Sequence, residues 1–256
     1  MAMLRDPEHG CPWDLKQSFA SIVPYTIEEA YEVADAIEQQ DFKELKLELG
    51  DLLFQTIFYA QLGQEQALFS FDEITEGICE KLIRRHPHVF SDVSLQTDEQ
   101  IKANWEHEKN LERQQKSPLN SSVLDDIPKA MPALSRAYKI QKRVASTGFD
   151  WPDVSGAIDK VSEEIEEVKQ ELNDLSSVNN LDAIADELGD LYFALTNVVR
   201  HLGLKPEQVV HKANKKFEQR FRHVELLAGE QNKQLSDMSL DEMELLWQQA
   251  KQHLAK

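Results

Sequence analysis

Apolar residues recur every three or four positions over most of this chain, and runs that alternate with period two are few. That pattern predicts helices almost throughout. They are expected at Ile27 to Gln39, Phe42 to Gly63, Phe71 to Arg85 and Asp98 to Gln115, then at Ala133 to Ser146, Val154 to Ser176, Leu181 to Leu202, Pro206 to Gln231 and Leu240 to Ala255. Between the two groups lies Lys116-Ser-Pro-Leu-Asn-Ser-Ser122, polar and proline-bearing, with Pro128 and Pro132 after it. Such residues break helices, so 116–132 reads as a linker joining a first unit at 1–115 to a second at 133–256. The fold class is all-α.

The two units repeat one another. Trp13 after Gly10-Cys-Pro has its counterpart in Trp151 after Gly148-Phe-Asp, Lys81 and Arg85 in Lys216 and Arg220, and Trp105 with Lys109 in Trp247 with Lys251. These features keep the same order in both halves, which identifies two tandem copies of one unit.

The most informative shared feature is acidic. Glu28-Glu29-Ala-Tyr-Glu32 is followed by Glu48-Leu-Gly-Asp51, and Glu163-Glu164-Ile-Glu-Glu167 by Glu187-Leu-Gly-Asp190. Residues three and four apart share a helix face, so each half can oppose two rows of carboxylates. Converging oxygens of this kind suit magnesium or manganese. An acidic helix face is ordinarily only solvated, and Thr26 with Glu29 also fits a capping box that accounts for one glutamate without metal. The duplication favours the metal. Each copy also places a glycine, Gly50 or Gly189, inside an expected helix at a cost of about 1 kcal/mol relative to alanine, which points to close approach by another backbone or a ligand.

Composition narrows the partners. With 256 residues and 41% hydrophobic content there is enough chain for two helical cores. A formal charge of −18 argues against nucleic acid or an anionic membrane as a partner, since both require basic surface. A metal would supply positive charge locally for a small anionic substrate. Cys11 and Cys79 are too few for a disulfide framework, the start lacks a signal-peptide core, and no apolar run approaches the roughly 20 residues of a membrane span. The expected location is the cytoplasm.

Gly10-Cys-Pro-Trp13-Asp14, Arg84-Arg-His-Pro-His-Val-Phe90, Gly148-Phe-Asp-Trp151 and the two carboxylate motifs together resemble the MazG family, the tandem-domain nucleoside triphosphate pyrophosphohydrolases. The resemblance spans essentially the full length, whereas the carboxylate pattern alone indicates the broader all-α pyrophosphohydrolase superfamily. It implies two helical-bundle domains and hydrolysis of nucleoside triphosphates to the monophosphate and pyrophosphate. It also implies Glu164, Glu167, Glu187 and Asp190 as magnesium ligands, with Glu163 orienting or deprotonating the attacking water. Lys160, Lys216, Arg220 and Lys251 are candidates to grip the phosphates, and Trp247 to stack on base or ribose. Glu29, Glu32, Glu48 and Asp51 form a candidate second metal site. A homodimer is the expected assembly.

The halves differ. Ala133 to Ser146 precedes the second tryptophan motif, while little precedes the first, so the first unit departs from the family's pattern there. Three residues before the acid pair the second unit has Lys160 and the first Tyr25, which favours the C-terminal unit as the active one. Some relatives carry a lysine shortly before E-x-x-D, where this chain has Asp182-Ala183. Two other classes compete. A di-iron carboxylate protein needs E-x-x-H motifs, and the chain contains none. An acidic helical scaffold predicts neither metal dependence nor turnover.

Overall fold

The computed structural model describes residues 1–116, 122–173 and 180–254, and among these all regular structure is helical. The chain divides into two compact units, Met1–Pro118 and Leu119–Lys256. The first holds α1 (Phe19–Gln39), α2 (Phe42–Glu65), α3 (Phe71–Arg85), α4 (Pro87–Phe90) and α5 (Asp98–Lys116). The second holds α6 (Ala133–Ala145), α7 (Val154–Asn173), α8 (Asn180–His201), α9 (Pro206–Glu230) and α10 (Leu240–His253). Residues 117–121 of the expected linker, the end of the expected helix to Ser176, and Ala255 lie outside the described residues.

Capping chemistry sets most helix starts. Ser70 and Glu73 bond each other's backbone N–H groups at the head of α3, Ser239 and Glu242 do so at α10, and Asp41 accepts from Lys43 and Glu44 at α2. The start of α1 corrects the sequence reading. It begins about two turns before Ile27, capped by Ser18, and runs through Pro24. A proline inside a helix removes one hydrogen bond and costs about 3 kcal/mol. Tertiary packing offsets it: Ile22 is buried, and Phe19 stacks on Tyr59 with ring centroids 6.0 Å apart. Thr26 is consequently no cap. Its hydroxyl donates to Ile22 O and meets Tyr59 Oη at 2.9 Å.

Each unit is organised on one helix pair, α1 with α2 and α7 with α8. In the first, Ile22, Phe58 and Leu62 form the core, covered by Met1, Phe19, Phe54 and Tyr59. Met1 to Gln17 forms turns rather than the longer helix seen as α6. Arg5 fixes them, donating through Nε and Nη2 to Glu65 at 2.8 and 2.6 Å and lying 5.7 Å from the Phe58 ring centre. In the second unit α6 packs on α8, where Gln141 Nε2 donates to Phe193 O at 2.8 Å. A further core joins α9 to α10 through Val224, Ala228, Met238, Leu246 and Ala250. No helix among the described residues is long and apolar enough to cross a membrane.

Gly50 and Gly189 stand differently from the expectation. Nothing in the described chain lies within 4 Å of where a Cβ would be, so neither marks a close approach inside the molecule. The helical glycines with that property are Gly63 of α2, whose Cβ would stand 2.5 Å from the Phe69 ring, and Gly156 of α7, whose Cβ would stand 2.8 Å from the Trp151 ring.

Candidate active site

Helix periodicity places Glu164 and Glu167 on one face of α7, opposite Glu187 and Asp190 on one face of α8. Carboxylate oxygens of Glu164, Glu187 and Asp190 lie within 4.8 Å of one another. Glu164 is the anchor: it is 4% exposed, and Lys160 Nζ meets its Oε1 at 2.7 Å while also bonding Glu163 Oε1 at 2.8 Å. The other oxygen, Glu164 Oε2, is buried without a hydrogen-bond partner. A buried carboxylate oxygen in that state is costly unless something else satisfies it. Three carboxylates with such an oxygen among them fit a hard divalent cation. Glu167 stands outside the tight trio, yet desolvation and then the Glu164 charge push its carboxyl up, with Lys160 opposing. The hydrogen bonds that Lys160 donates to Glu163 and Glu164 raise its ammonium in turn.

The first unit repeats the trio with Glu29, Glu48 and Asp51, again within 4.8 Å. Glu32 is outside it. Desolvation and neighbouring acids raise Glu29 and Glu48, Asp51 being the main charge on the former and Glu32 on the latter. Tyr25 takes the place of Lys160 and packs edge-on against Trp13 at 5.8 Å. Gln55 Nε2 donates to Glu29 Oε1 at 3.3 Å.

Beside the second trio lies a cavity of about 650 Å³ between α6, α7 and α8. Lys160, Glu164 and Asp190 line it, together with Ala157, Phe193, Ala194, Asn197 and Arg200. Phe149, Asp150 and Trp151 add the loop before α7. Arg200 Nε donates to Asn197 Oδ1 at 2.8 Å, and its Nη2 pairs with Asp150. Burial raises the Asp150 carboxyl, but Arg200 and His201 overcome that and leave it lowered. Counting from the acid motifs, Ala157, Ala194 and Asn197 correspond to Ile22, Gln55 and Phe58, all three buried. Large side chains in one unit thus occupy the positions that are hollow in the other.

The remaining sequence candidates sit on α9 and α10 and do not line this cavity. Trp247 is half-buried on the α9–α10 core, 5.2 Å from the Phe217 ring, with the Arg220 guanidinium 6.0 Å from its centre. Arg220 Nε is buried without a partner. Lys216 is exposed and Lys251 half-buried. Sequence reasoning missed Phe149, Asn197 and Arg200 as cavity residues. Asn197 and Arg200 follow Asp190 at helical spacing on α8, which was the available signal.

The MazG nucleotide pyrophosphohydrolase domain model matches residues 17–90 and 155–225. A nucleoside triphosphate pyrophosphohydrolase of Escherichia coli K12 is 51% identical over 251 residues, 98% of this chain and 94% of that protein. The Thermotoga maritima nucleoside triphosphate pyrophosphohydrolase/pyrophosphatase MazG is 37% identical over 98% of this chain and 92% of its own length. YabN of Bacillus subtilis, an uncharacterized protein, is 45% identical over 97% of this chain and 50% of its own. With a twice-matched domain and a relative aligned nearly end to end, the chain belongs to the MazG nucleotide pyrophosphohydrolase family.

Proposed function

We propose that this chain hydrolyses nucleoside triphosphates to the monophosphate and pyrophosphate, and that the C-terminal unit does the work with magnesium or manganese. The carrying observation is the partnerless buried Glu164 Oε2 at the focus of three carboxylates, opening on a cavity large enough for a nucleoside. The relatives from E. coli and T. maritima bear names for the same activity.

Glu164, Glu187, Asp190 and Glu167 would hold the metal, which when bound neutralises phosphate charge and polarises the phosphoryl oxygens. The nucleoside lies in the cavity against Phe149 and Trp151, with Asn197 available to its polar edge. Lys160 turns from Glu163 to the arriving phosphates. Glu163, so released, orients a water and takes its proton as the water oxygen attacks the α-phosphorus. The bond from that phosphorus to the α,β-bridging oxygen breaks, and pyrophosphate leaves. Lys216, Arg220 and Lys251 neutralise the β- and γ-phosphates, for which positioning and charge matter more than covalent help. Trp247, expected from the sequence to stack on base or ribose, lies on the α9–α10 core away from the cavity and instead holds Arg220 in place.

The domains are taken as 1–115 and 133–256 with a linker at 116–132. The acid trio at Glu29, Glu48 and Asp51, with Glu32 beside it, is kept as a second metal site without turnover, because Ile22, Gln55 and Phe58 fill the nucleoside space there. Homodimerisation belongs to the same reading, supported by the large apolar side chains exposed on α7 and α8, among them Ile158, Leu188 and Tyr192. A nucleotide panel assayed for pyrophosphate with and without magnesium tests the activity. Orthophosphate as the product would refute the cleavage position, and no turnover at all would favour the acidic scaffold.

A further inference from the structure

The repeat puts Lys81, Arg85, Trp105 and Lys109 in register with Lys216, Arg220, Trp247 and Lys251. In that register Arg84, Glu108 and Glu112 of the first unit meet Gln219, Ala250 and Leu254 of the second. The first unit therefore carries one cation and two carboxylates where the second is neutral. All three are engaged with one another. Arg85 donates to Glu112 through Nε at 3.2 Å and Nη2 at 2.7 Å, and Arg84 bonds the same carboxylate while its Nε pairs with Glu108 at 3.5 Å. Two-pronged capture of a carboxylate is the geometry with which a guanidinium also takes phosphate. The second unit differs at the equivalent atom: Arg220 Nε is buried and has no partner. An N–H group left in that state is costly until a ligand supplies an acceptor.

We infer that Glu112 is a built-in occupant of an oxyanion site in the N-terminal unit, standing on Arg85 where a phosphate stands on Arg220. Replacing it with the neutral residue of the other half opens this site to a second anion. Its ligand class is inorganic pyrophosphate or a short polyphosphate, because the Nε and Nη2 prongs that hold the Glu112 carboxylate match a pair of phosphate oxygens and nothing in the cluster addresses a base. The inference rests on the proposed role of Arg220 as a phosphate ligand, and the experiment separates the two.

Magnesium pyrophosphate is titrated calorimetrically into the full chain. The wild type is expected to bind one equivalent per chain, Arg220→Gln none, Glu112→Leu two, and the double variant one. Glu112→Gln, which keeps the shape of the side chain, is expected to bind a second equivalent at least tenfold more weakly than Glu112→Leu. The reverse transplant, Leu254→Glu at the exposed end of α10, is expected to raise KM for nucleoside triphosphate at least tenfold. One equivalent in both Glu112 variants, each with a normal melting curve, overturns the inference, as does an unchanged KM in Leu254→Glu. Full binding by Arg220→Gln instead removes the phosphate-ligand reading beneath it.

Discussion

Glu164 holds a charge almost out of water, with Lys160 on one oxygen and nothing on the other. Its exchange for glutamine keeps the size and removes the charge that, on the proposed function, would hold the metal, so Glu164→Gln is expected to lower kcat at least about a hundredfold with the helical circular dichroism unchanged. Glu167→Gln should do the same, whereas Glu32→Gln, its counterpart in the filled unit, should leave kcat within about twofold. Loss of turnover in Glu32→Gln with a normal melting curve would place catalysis in the first unit. The acid residues were legible because charge at helical spacing has few other uses when it occurs twice. The cavity was not. Its space comes from Ala157 and Ala194, and a small apolar residue reads in sequence like any other core position. The engagement of Lys160 by Glu163 and Glu164 was equally hidden, since spacing gives proximity without saying which partner is chosen.

Helices were read well where capping and periodicity agree. The α3 helix has the expected limits because Ser70 starts it and His86-Pro87 ends it, and α9 because Pro206 opens it. They were read poorly where tertiary packing overrides a local signal. Thr26 with Glu29 fits a capping box that would start α1 late, yet Ile22 and Phe19 hold the earlier turn in place. The single turn α4 and the 3-10 turns at Asp14–Lys16 and Leu235–Asp237 are too short for a period to register. One element contact is open to test by a single methyl. In Gly156→Ala the new carbon would stand 2.8 Å from the Trp151 ring, so α7 and the loop carrying Phe149 and Trp151 must part. The expected result is a loss of about 1–3 kcal/mol in unfolding free energy, with KM raised more than kcat is lowered. Unchanged stability and KM would show that the ring moves aside freely.

Across the molecule the carboxyls that are shifted fall into two groups with opposite pH behaviour. Hydrogen bonds from Arg85 and Arg84 hold the Glu112 carboxyl down at about 2, against an ordinary value of 4.5. A lowered group stabilises the fold above its ordinary value, and the contribution is lost as pH falls through that window. Glu29, Glu48 and Glu167 are raised, chiefly by desolvation and then by neighbouring acids, so ionising them costs stability as pH rises above their ordinary value. Divalent metal held as proposed would compensate that cost. The gain in Tm from magnesium over chelator is therefore expected to be larger at pH 7 than at pH 4.5, and in Glu112→Leu the loss of stability between pH 4.5 and 2 should shrink. Differential scanning calorimetry across this range checks both. A magnesium effect independent of pH would mean that the acid trios are not where the ion acts.

The filled core at Ile22, Gln55 and Phe58 has a further consequence. One half of the chain is filled by its own side chains, while on the proposed function the hollow half would leave part of its packing for the nucleoside to complete. Ligand that binds only a folded half raises the melting of that half by mass action. A non-hydrolysable nucleotide is thus expected to move one component of the melting profile and leave the other in place. The chain would carry its own internal thermometer, with an unresponsive twin marking the baseline from which nucleotide occupancy is read. Equal displacement of both components would show that the halves melt as a single cooperative body.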